Sequence, residues 1–72
     1  MTDIEKIKFI EDAILHLFKR SIKPEPTDIL LDIGVDSLET VELQMYYEDT
    51  TGHEIEADAT VSTVGDLMVV MR

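Results

Sequence analysis

The chain has 72 residues and a formal net charge of −10, from 16 acids against 6 bases. That length makes one domain, residues 1–72, with a small core, and a hydrophobic content of 44% argues against disorder despite the charge. With no cysteine there is no disulfide and no thiolate zinc site, so any thiol chemistry must come from something attached or bound.

The charge is unevenly spread. Lys6, Lys8, Lys19 and Arg20 lie in the first twenty residues, and beyond Arg20 twelve acids face only Lys23 and Arg72. Nucleic acid is excluded as a natural partner, because neutralising phosphates needs clustered Lys and Arg. A basic protein surface fits instead, with salt-dependent association. No apolar run is long enough to span a membrane. Met1 is followed by Thr2-Asp3-Ile4-Glu5, with neither a basic region nor an apolar signal core, so a cytoplasmic location is expected.

Residues 3–19 read as a first helix. Ile4, Ile7, Ile10, Ile14 and Leu17/Phe18 recur at three- and four-residue spacing and make one apolar face. Thr2 and Glu5 fit a capping box, and Lys19 and Arg20 suit the negative end of the helix dipole. Pro24 and Pro26 forbid an easy continuation. Residues 21–36 then read as a long loop in which Ile29, Leu30, Leu31 and Ile33 plug the core. Gly34 supplies a turn that a side chain would hinder. Residues 37–50 read as the second helix, opened by an Asp36/Glu39 capping box and closed by Gly52. Residues 53–62 are ambiguous, with one short helical turn conceivable over Ala57-Asp58-Ala59-Thr60. Residues 63–71 read as the last helix, capped by Thr63 with Asp66, and Val64, Leu67, Met68 and Met71 share a face. The expected fold is all-α, a small three-to-four-helix bundle with a long loop between helices 1 and 2.

A 100° step per residue sorts the second helix into two stripes. Leu38, Val41 and Met45 fall together, bordered by Glu42 and Asp49 on one side and Glu48 on the other. Leu43 and Tyr47 point the opposite way. The clean stripe is expected in the core, and the stripe mixed with carboxylates at a surface that partners touch.

Ser37 stands at the junction of loop and second helix, in Gly34-Val35-Asp36-Ser37-Leu38-Glu39. Serine there often serves only as a cap. Catalysis by Ser37 has little support: His16 and His53 are not spaced to contact it, and Gly-x-Ser-x-Gly is absent. The chain is therefore not expected to be an enzyme. Asp28, Asp32, Asp36 and Glu39 fall at positions one, five, nine and twelve of a twelve-residue loop. Leu30 and Ile33, however, stand where a calcium loop wants a ligand and a glycine, so no metal site is expected.

The run Asp32-Ile33-Gly34-Val35-Asp36-Ser37-Leu38, followed by Glu39-Thr40-Val41-Glu42-Leu43, resembles the prosthetic-group site of acyl carrier proteins. In that family the site reads close to Asp-Leu-Gly-x-Asp-Ser-Leu-Asp-x-Val-Glu-Leu. An amphipathic first helix, a long loop, Glu54-Ile55 and Thr63-Val64-Gly65-Asp66-Leu67 also fall in the family's order, so the resemblance covers essentially the whole chain. It implies that a separate phosphopantetheinyl transferase attaches 4′-phosphopantetheine from coenzyme A to Ser37, framed by Asp36 and Leu38. It implies a carrier of acyl groups as thioesters, of the kind used in lipid or fatty-acid biosynthesis. Glu39, Val41, Glu42, Met45, Glu48 and Asp49 would meet acyl-loading and acyl-transferring enzymes with basic surfaces. The carrier would act as a monomer.

Several positions depart from the family pattern. Leu31 replaces an acid or other polar residue, and Thr51 replaces a large apolar one. Tyr46 and Tyr47 stand where smaller or aliphatic residues are common. The stretch from Ile55 to Val61 is about two residues short. These positions surround the region where the family shelters an acyl chain, so they point to a specialised carrier, for a short, polar or aminoacyl group. The alternative is an acidic helical interaction module without a prosthetic group, in which Ser37 is a cap or a phosphorylation site.

Overall fold

Three capping boxes set where the helices begin. The computed structural model describes residues 2–55 and 60–71, and its elements are α1 (Asp3–Phe18), α2 (Ser37–Thr51) and α3 (Val64–Val70). The protein is all-α, and no strand is present among the described residues. Thr2 Oγ1 accepts from Glu5 N–H at 3.2 Å and Glu5 Oε1 accepts from Thr2 N–H at 3.0 Å. Asp36 with Glu39, and Thr63 with Asp66, repeat the arrangement. Each box satisfies two backbone donors that a helix start would otherwise leave to water. Of the short helical turn conceivable over 57–60, residues 57–59 lie outside the described residues.

One apolar cluster joins the elements. Ile10, Ala13 and Ile14 of α1 are buried with Leu43 and Tyr47 of α2 and with Val64, Leu67, Met68 and Met71 at α3. Fully burying aliphatic side chains such as Ile14 and Leu67 contributes roughly 1.5–3 kcal/mol each before conformational entropy is subtracted. α1 packs against both other helices. Phe9 reaches α2, where its ring meets Tyr47 edge-on, with centroids 5.6 Å apart, and Tyr46 at 5.7 Å.

The core differs from the expected one at the start of the α1 stripe and in the connection to α2. Ile4 continues the α1 stripe but is 82% exposed. It borders an open hollow with Ile7, Pro26 and Met68. In the connection, of the four residues expected to plug the core, only Leu30 is fully buried. Ile33 is half-buried, and Ile29 and Leu31 are exposed. Val35 takes the second core place. The hydrogen bond from Val35 N–H to Leu30 carbonyl, 2.8 Å, turns these two inward together, while residues 31–34 form tight turns that project Leu31 outward.

The connection is fastened to α3 rather than free. Ile29 pairs with Thr63 in an isolated antiparallel bridge. Leu30 N–H donates to Ser62 carbonyl at 3.0 Å, and Val64 N–H donates to Asp28 carbonyl at 2.9 Å. These bonds satisfy backbone groups that the loop would otherwise bury unpaired. They hold the chain leading into Ser37 against the body of the protein.

Candidate functional site

Gly34 begins the site. Its φ of +88° lies in the left-handed region, and its N–H donates to Leu31 carbonyl at 3.2 Å. A side chain is strained in that conformation, so the turn expected at Gly34 is present for the expected reason. Val35 then anchors inward, Asp36 follows in an extended conformation as the cap, and Ser37 is the first helical residue.

The capping geometry leaves Ser37 outside. Asp36 Oδ1 accepts from Glu39 N–H at 2.9 Å, and Glu39 Oε1 accepts from Asp36 N–H at 3.3 Å. Thr40, the buried polar residue of this helix, donates its hydroxyl to Asp36 carbonyl at 2.9 Å. Asp36, Ser37 and Leu38 are all exposed, Leu38 by 75%. The N–H groups of Ser37 and Leu38 belong to the first turn, where no intrahelical acceptor exists, so they face outward at the positive end of the dipole.

Neither histidine is placed to activate Ser37. His16 lies against the ring of Tyr46, with centroids 5.5 Å apart. Tyr46 is nine residues along α2 from Ser37, about 13 Å at the helical rise. His53 follows Gly52 at the opposite end of α2. Among the described residues, no group of three or more His, Cys, Asp or Glu could hold a metal ion. Asp28, one of the four acids at calcium-loop spacing, accepts from Glu25 N–H through its own carboxylate at 2.9 Å.

The two stripes of α2 separate as the helical step predicts. Leu43 and Tyr47 are buried, at 3% and 1% exposure, while Val41 and Met45 are half or more exposed. Glu42 and Asp49 are exposed beside them. The remaining acids of the expected partner face are committed internally. Glu48 Oε2 accepts from Ile55 N–H at 2.9 Å and fixes the turn after α2. Glu39 is half-buried and pairs with Arg20.

Arg20 has a role that its place in the sequence, beside the negative end of α1, does not announce. Rather than resting at the end of α1, its guanidinium reaches across to donate to both Gly34 carbonyl and Glu39 Oε2. Lys19 permits this: it caps α1 in the left-handed conformation, with φ 58°, and redirects the chain. Lys8, by contrast, pairs within α1 with Glu11 at 3.6 Å and Asp12 at 3.4 Å. The hydrogen bond and charge of Asp12 raise the Lys8 pKa above its ordinary value. Among the described residues, no ion pair reaches Glu42 or Asp49, so their charge stands open on the α2 face.

No helix among the described residues is long and apolar enough to cross a membrane. No family model matches the chain, and no solved structure matches it significantly.

Proposed function

We propose that the protein is an acyl carrier protein that bears 4′-phosphopantetheine on Ser37. The observation that carries this reading is the exposed Ser37 at the start of α2, beside an exposed Leu38 and next to Asp36, whose carboxylate is engaged by Glu39 N–H. The finer architecture belongs to the same proposal: a three-to-four-helix bundle whose long loop delivers the attachment turn.

The residues present fit the group. Ser37 Oγ is open to solvent, and the outward N–H groups of Ser37 and Leu38 suit a phosphate at a helix start. In loading, Ser37 Oγ attacks the coenzyme A phosphorus that carries pantetheine. The new O–P bond forms as the pyrophosphate P–O bond breaks, adenosine 3′,5′-bisphosphate leaves, and the serine proton passes to a base on the transferase. When bound, the group supplies the thiol that holds an acyl chain as a thioester, which a cysteine-free chain cannot supply itself. The protein is then a carrier and not an enzyme.

Leu38, Val41 and Met45 supply the apolar centre of the partner contact. Asp36, Glu42 and Asp49 supply a rim that meets Lys and Arg on loading and transferring enzymes. Glu39 and Glu48 sit behind that rim and act through their internal bonds. A modest apolar patch with a charged border favours fast encounter and release. Action as a monomer in the cytoplasm is part of this reading. The cargo is a short, polar or aminoacyl group, in keeping with Tyr46, Tyr47 and Thr51 around the bundle.

Intact mass tests it. With coenzyme A, Mg²⁺ and a broad-specificity transferase, wild type should gain about 340 Da and Ser37→Ala nothing. A wild type without that gain overturns the carrier reading and leaves the acidic interaction module. In that case a kinase adduct of about 80 Da at Ser37 would mark a phosphorylation site.

A further inference from the structure

We infer that Arg20 is a positioning residue for the modification of Ser37, an inference that rests on the carrier reading above. One guanidinium holds both sides of the attachment turn. Arg20 Nη1 donates to Gly34 carbonyl, three residues before Ser37, and Nη2 pairs with Glu39 Oε2, two residues after it. The other oxygen of the same carboxylate, Glu39 Oε1, accepts from Asp36 N–H. Fixing Oε2 therefore fixes the capping box, and the box defines the backbone on which Ser37 stands.

The fit around the guanidinium is close. A Cβ built on Gly34 would lie 3.1 Å from Arg20 Nη1, so the glycine admits the cation as well as the turn. The Phe18 ring backs it, with Arg20 Cζ 5.1 Å from the ring centroid. A planar fork can serve a carbonyl and a carboxylate together, whereas an ammonium is a point donor.

The pair is partly exposed, with side chains 36% and 21% accessible, and such pairs add little to global stability. Its effect falls on geometry. Loading requires Ser37 Oγ in line with the phosphorus, and small misplacements reduce such rates steeply. The bonds of Arg20 go to Gly34 and Glu39 and not to the docking stripe Leu38/Val41/Met45, so turnover should suffer and docking should not.

The test compares wild type, Arg20→Gln, Arg20→Lys and Lys8→Gln, which matches the charge change of Arg20→Gln elsewhere on α1. Loading with coenzyme A and a transferase is measured below the melting temperature of every variant. Arg20→Gln should lose about tenfold or more in kcat, with KM within about twofold. Arg20→Lys should fall between, and Lys8→Gln should load as wild type does. Amide exchange in the unloaded protein gives the second readout. In Arg20→Gln the amides of Asp36, Glu39 and Thr40, which are bonded within the capping box and first turn, should exchange about tenfold faster, while Ile14 and Leu67 keep their protection. The inference is overturned if Arg20→Gln loads at the wild-type kcat, if Arg20→Lys restores it fully, or if Lys8→Gln loses as much. Protection lost equally across the core overturns it too, since Arg20 would then be a general stabiliser. A wild type that does not load sinks the carrier reading, and this inference falls with it.

Discussion

Gly65 N–H donates to the carbonyl of Pro26 at 2.9 Å, and a Cβ built on Gly65 would lie 2.9 Å from that same oxygen. The first turn of α3 thus closes on the loop at backbone distance. Glycine is needed here for space, whereas Gly52 meets nothing within 4 Å and is needed for its left-handed φ of +76°. Helix propensity alone predicts that alanine at Gly65 would stabilise by up to about 1 kcal/mol.

Gly65→Ala should instead destabilise the protein, by about 1–3 kcal/mol, because the atom in the way is backbone and must shift. In a domain this small that lowers the melting temperature by several degrees, at roughly 4–8 °C per kcal/mol. Thermal melting of the two proteins decides the sign, and a higher melting temperature for Gly65→Ala would show that α3 does not approach Pro26 this closely.

Features with short sequence separation were legible, and those bridging distant segments were not. The three capping boxes lie within a three-residue spacing, and the two stripes of α2 follow from the helical step. Both are local geometry. Arg20 meets Glu39 across nineteen residues, and no periodicity marks such a pair. The same holds for Pro26 with Gly65, where nothing in the sequence around the glycine marks the contact that requires it. Leu31 and Ile29 misled because apolar character in a tight turn does not say which side chain faces inward. The hydrogen bond between Val35 and Leu30 makes that choice. The placement of Ser37 at the helix start was legible because the cap that defines it lies beside it.

The capping boxes also make stability depend on pH. The Asp66 carboxylate accepts from Ser62 N–H at 3.0 Å and Thr63 N–H at 3.1 Å, and these bonds hold its pKa below the ordinary value. Glu5 is lowered in the same way, first by the backbone N–H of Thr2. A depressed carboxylate stabilises the fold above its unfolded pKa, and that share is lost as pH falls through the folded one. Asp66→Asn keeps an acceptor and loses the charge. It should melt below wild type at pH 6, and the gap should close as pH drops under about 4. A gap that stays constant across that range would mean that the charge of Asp66 contributes nothing at α3.

The last prediction separates the two faces of α2. Glu42 is exposed beside Val41 and Met45, while its neighbour Leu43 is 3% exposed in the core. Adjacent residues one helical step apart therefore have unrelated tasks. Glu42→Lys should change stability by no more than about 0.5 kcal/mol, as surface substitutions usually do. It should raise the KM of loading by a basic-surfaced transferase, with the difference shrinking at high salt as the rim contact is screened. Leu43→Ala should cost about 2–5 kcal/mol, by lost burial and the cavity left behind. At a temperature where it remains folded, its KM should match wild type, because the side chain never meets the partner. Loading kinetics beside thermal melting for both variants give the comparison. An unfolded Glu42→Lys, or a stable Leu43→Ala that docks poorly, would place the partner on the opposite face of the helix.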